Sequence, residues 1–175
     1  MILDALTNFL PLGSNLAVTN AAVRSNIYDI LGSGVGTAPQ NIIGTRTLFG
    51  QDDGIGSRKP LVQVNLTNLN WAGGTSLNVA FQAAVDTGAA GNYQPGAWLT
   101  LVETGAIALA NLTAQQVLAK FDFPPAFPPG VLPRYLSLLF TPVGVFTAGA
   151  IGSAIVTMDR DDQTNKYAAK NFTVA

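Results

Sequence analysis

Two stretches of strict two-residue alternation, separated by a glycine-containing connection, constrain this chain most. Val62, Val64 and Leu66 alternate with Gln63, Asn65 and Thr67; after residues 68–74, Leu77, Val79, Phe81, Ala83 and Val85 alternate with Asn78, Ala80, Gln82, Ala84 and Asp86. Successive strand side chains point to opposite faces, so the pattern predicts two half-buried strands joined by a turn. Each puts an apolar face on a core and an uncharged polar face toward water or a partner.

Further short strands are expected over residues 26–31, 42–49, 97–103, 134–141 and 150–158. Short strands separated by turns at such spacing indicate a sandwich or barrel, and about eight of them fit a jelly roll. With 175 residues there is room for one sizeable core. The organisation read from this is an N-terminal arm at residues 1–12 and a single all-β jelly-roll domain at 13–175. The arm places Ile2, Leu3, Leu6, Phe9 and Leu10 on one face of a short helix before Pro11. Such a stripe must dock, either on its own domain or on a neighbour. A second short helix is expected over 113–120, because Thr113 and Gln116 have capping-box spacing.

Two regions invite other readings. The run Gly32-Ser33-Gly34-Val35-Gly36 lacks the Lys-Ser/Thr of a phosphate loop and reads as a bend that uses positive φ. Residues 135–158 hold no charge and are long enough to span a bilayer, but Pro142, Gly144, Gly149 and Gly152 interrupt them, as suits two strands and a connection.

Composition narrows the function. There is no His and no Cys, which removes thiolate chemistry, the usual zinc sites and the commonest general acid-base group. No catalytic residue, metal site or cofactor is expected. Nine basic and ten acidic side chains make a net charge of −1, with no basic field for nucleic acid. A charged fraction of 11% and a mean hydropathy of +0.31 imply that much of the neutral surface is covered by something. The start of the chain lacks a basic leader region, so synthesis in a cytoplasm is expected, with no membrane partner.

Weaker chemical candidates remain. A carboxylate pair could be drawn from Asp52, Asp53, Asp86, Glu103, Asp122 or the Asp159, Asp161, Asp162 group. That last group resembles half a calcium loop but reads better as a solvated turn. Ser57 and Lys59, two apart on a loop, do not make a nucleophile and base. Three Asn-x-Thr sequons, at Asn65, Asn111 and Asn171, are read as chance. Trp71, Tyr93 and Trp98 would suit sugar stacking, which makes a carbohydrate-binding module the alternative, with Trp71 near a turn the better platform and Trp98 a core residue.

Several segments taken in order resemble the small capsid cement, or decoration, proteins of tailed bacteriophages. These are Asn26-Ile27-Tyr28-Asp29 with the glycine run after it, residues 47–56 (TLFGQDDGIG), Leu132-Pro133-Arg134-Tyr135-Leu136 and Asp161-Asp162-Gln163. The resemblance implies a jelly roll that forms a homodimer on the outside of an icosahedral head. There it would bridge copies of a major capsid protein of the tailed-phage shell fold. It supplies no catalytic residues. The expected partner contacts are the apolar stripe Leu3, Leu6, Phe9 and Leu10 and, in the proline-rich loop, Phe123, Phe127 and Pro128. Those phenylalanines read more readily as plugs for the chain's own core.

Overall fold

The computed structural model describes residues 8–30, 33–37, 47–49, 61–88, 94–123 and 125–157. Nearly all of its regular structure is antiparallel β. One sheet contains β1 (Asn8–Leu10), β2 (Leu16–Ala17), β7 (Leu61–Leu66), β12 (Val117–Asp122) and β15 (Ala150–Thr157), in the order β1-β15-β7-β12 with β2 also on β15. The other contains β3 (Val23–Arg24), β4 (Tyr28–Asp29), β9 (Ser76–Asp86), β10 (Pro95–Glu103), β11 (Ile107–Ala108) and β13 (Tyr135–Val143), in the order β10-β9-β13-β3, with β11 on β9 and β4 on β13. Two ribbons complete it: β8 (Ala72–Gly73) with β14 (Phe146–Ala148), and β5 (Ser33–Thr37) with β6 (Thr47–Phe49).

The two sheets pack as a sandwich because each turns an alternating apolar row inward. Val62, Val64 and Leu66 of β7 and Ile151 and Ala154 of β15 meet Leu77, Val79, Phe81 and Ala83 of β9 and Leu136, Leu138 and Phe140 of β13. One part of the core is aromatic. Phe9 stands edge-on to Phe81 at 5.6 Å and stacks on Tyr28 at 5.7 Å, while Tyr28 meets Phe123 edge-on at 5.3 Å. Offset and T-shaped contacts of this kind add to the area term.

β3 and β4 are two pieces of one interrupted strand along β13. Between them the Ser25 N–H donates to Leu138 O and the Ser25 hydroxyl accepts from the Leu138 N–H, both at 2.9 Å. The Asn26 N–H donates to Phe9 O of the opposite sheet at 2.9 Å. The interruption thus stitches the two layers together where backbone groups would otherwise lie unpaired.

The structure corrects several sequence expectations. The alternating stretches of β7 and β9 lie in different sheets: β7 pairs with β12 and β15, β9 with β10 and β13. The second face of β9 is also covered, with Ala80, Gln82 and Ala84 all buried. No helix occupies 113–120; Val117, Ala119 and Phe121 alternate along β12 and pair with β7. The Thr113/Gln116 pair forms a side-chain-closed turn instead, with Gln116 Oε1 accepting from Thr113. The positive φ of 59° at Gln115 ends any helical path there. The glycine run lies in a strand pair, with an irregular register inside it: Ser33 pairs with Phe49 and Thr37 with Thr47. Residues 8–10 are a strand on β15 rather than part of a helix, so sheet structure begins inside the supposed arm. The uncharged 135–158 segment, as far as residue 157, is β13, β14 and β15. Among the described residues no helix is long and apolar enough to cross a membrane.

Candidate functional site

β13 pairs with β9 over nine consecutive residues, from Tyr135 opposite Ala84 to Val143 opposite Ser76. Each end of this central ladder is braced differently, and each presents exposed apolar side chains.

At the start of β13, Arg134 is held by two carboxylates. Its Nε and Nη2 donate to the two oxygens of Asp29, each at 2.9 Å, and its Nη1 donates to Asp86 Oδ2 at 2.8 Å. The fork geometry matches a carboxylate bidentately. Asp86 Oδ1 also accepts the N–H groups of Gly88 at 2.9 Å and Gln94 at 3.1 Å. Burial alone would raise the Asp86 carboxyl, but those two N–H groups and the Arg134 guanidinium together hold it below its usual range. The Asp29 hydrogen bonds hold the Arg134 pKa above its ordinary value. This charge network anchors the loop before β13, where Leu132 is 88% exposed.

At the other end, Val143 and Val145 flank Gly144 and are 53% and 60% exposed. Gly144 has a φ of 81°, which a β-branched residue would not adopt. The turn is tied down by Thr75 N–H to Val143 O and Gly74 N–H to Val145 O, both at 2.7 Å. Beneath it Trp71 meets Phe146 edge-on at 5.0 Å, and Gly149 approaches the indole so closely that a Cβ there would lie 2.3 Å from it.

The expected contact residues divide. Phe9, Leu10 and Phe123 are buried in the chain's own core, so they are removed from any partner surface: the aromatic cluster already uses them. Phe127 is half-buried against that core, and Pro128 is exposed. Leu3 and Leu6 lie outside the described residues. Leu132 belongs to the 123–133 loop expected to make contact and is exposed, whereas Val143 and Val145 are exposed apolar residues outside both expected contact segments. Val143-Gly144-Val145 had a readable signal, a glycine at a turn between two apolar strands.

The sugar-stacking candidates fare differently. Trp71 is 7% exposed under the Phe146 turn and offers no platform. Trp98, expected in the core, is half-buried on the outer sheet face opposite Ala84, and the Arg24 guanidinium lies 4.0 Å from its ring centre. Arg24 also donates to Gln82 Oε1 at 2.8 Å, and burial lowers its pKa. Tyr93 lies outside the described residues. Among the carboxylates, Asp29 and Asp86 converge on Arg134, Glu103 accepts from Asn78 Nδ2 at 2.8 Å, and Asp122 is exposed at the end of β12. Asp52, Asp53, Ser57, Lys59 and the Asp159 group lie outside the described residues. Among the described residues no three carboxylates, histidines or cysteines gather as a metal site. Compared with known proteins, the chain matches no family model and no curated protein sequence.

Proposed function

We propose that this chain is a structural virion protein: a capsid cement protein that acts as a homodimer on the outer surface of a tailed-phage head. Made in the host cytoplasm, it has jelly-roll connectivity and bridges major capsid protein subunits. The observation that carries this reading is the presence of exposed apolar side chains at both ends of one braced strand pair, Leu132 at one end and Val143 and Val145 at the other. Nine strand residues set these ends about 27 Å apart. A rigid body that can bury apolar surface at two separated points is suited to span a junction between neighbouring subunits. Each junction gains a modest contact, and repetition over a closed lattice multiplies it. The segments resembling cement proteins agree with this reading, as does the low charged fraction of the chain.

The test is co-sedimentation with heads that lack the protein, prepared from a phage carrying its gene. The wild-type chain is expected to pellet with heads and raise the temperature at which they release DNA. Leu132→Asp and Val145→Asp are each expected to weaken pelleting at least about tenfold while the isolated chains melt as wild type does. Undiminished binding by the double variant, or no binding by the wild type, would overturn the reading.

A further inference from the structure

Among the described residues, β10 is the edge of the two main sheets left long and neutral. β3 and β4 have two residues each and β1 three, while β12, with six, carries Lys120 and Asp122. Short length, charge, proline and bulges are the usual guards against edge pairing; β10 has Pro95 and two bulges towards its ends, which leaves Trp98–Thr100 as its unguarded stretch. β10 runs for nine residues, and residues 95–102 hold no charge; its one ionisable group is Glu103, at the end. Among the described residues no strand pairs with its side away from β9. Its two register breaks flank a regular run in which Trp98, Leu99 and Thr100 face Ala84, Ala83 and Gln82. Alternate N–H and C=O groups of that run point outward, and Leu99 and Val102 beside them are 42% and 43% exposed.

Among the described residues the sandwich is also open along this side. A groove of about 380 Å³ lies between β10 and β12, with Leu101, Val102, Phe121 and Pro125 as its apolar wall and Lys120 and Asp122 of β12 also lining it. One more strand added to β10 would lie over it.

We infer that the β10 edge is where two copies of this chain join, strand against strand about a two-fold axis at Leu99. The inference deepens the cement reading and rests on it only for the dimer's role on the head. Charge selects a second copy as the occupant. A two-fold contact sets every residue against its own patch, so a charged edge would repel itself. Here the register centred on Leu99 places Glu103 opposite Pro95 of the second copy, with the two glutamates about 26 Å apart. The result is one continuous antiparallel sheet across both copies, in which Leu99 is covered and the second strand closes the groove.

The chain has no native cysteine, so single cysteines report the contact cleanly. Facing residues across an antiparallel pair have Cβ atoms about 5 Å apart, close to disulfide reach. Oxidised Leu99→Cys is expected to run as a covalent dimer, and Asn20→Cys, exposed next to β3 at the opposite edge of the sheet, as a monomer. In sedimentation the wild-type chain is expected to be dimeric, and Leu99→Lys with Val102→Lys to raise the dissociation constant at least about tenfold. A monomeric wild type, or a cross-link formed through Asn20→Cys and not through Leu99→Cys, would overturn the inference; the cysteine pair keeps it testable if the lysine variant fails to fold. Head binding is read separately, so a dimer joined through another face would sink this contact and leave the cement reading standing.

Discussion

Gly149 and Asp86 show how much single residues decide here. Gly149 has a φ of 107°, and its Cα hydrogen faces the Trp71 indole. Gly149→Ala combines backbone strain with overlap against a buried ring, and a loss of about 3 kcal/mol or more is expected in denaturant unfolding. Asp86 has its carboxyl held low in the folded state, so its contribution is present above its unfolded pKa and disappears as pH falls through the folded value. The difference in melting temperature between wild type and Asp86→Asn is therefore expected to be widest near neutrality and to shrink below about pH 4. Neither role was legible in the sequence. Gly149 reads there as one of several breaks in an apolar run, and Asp86 as one of several candidate acids. Their partners Trp71 and Arg134 are 78 and 48 positions away.

Elements were legible where alternation was long and misread where it was short. The strands at 61–66, 76–86, 95–103, 135–143 and 150–157 follow patterns visible in the residues. Which strand pairs with which was not, because period two fixes a face and says nothing of the neighbour. The 113–120 segment misled because a capping box has the same spacing whether it opens a helix or closes a turn, and Val117, Ala119 and Phe121 then follow a strand's period. The N-terminal stripe misled for a related reason, since Phe9 and Leu10 satisfy a helical face as readily as they satisfy β1. Placing β1 in the sheet changes what truncation does. Phe9→Ala removes the centre of the aromatic cluster, and a loss of about 3–5 kcal/mol is expected in chemical denaturation, whereas Pro128→Ser is expected to stay within about 0.5 kcal/mol of wild type.

For the whole molecule, the sequence announced an all-β sandwich with neutral faces but not where its apolar surface would be presented. That surface emerges only when the chain is folded: Leu132 and Val145 are 13 residues apart in sequence yet stand at opposite ends of β13. This arrangement has a mechanical consequence. Tension applied between those two points runs along the covalent backbone of a single extended strand, flanked by β9 on one side and by β3 and β4 on the other. The ladder bonds to the flanking strands lie crosswise to that line, so the chain resists stretching through its main-chain bonds before any sheet contact has to shear.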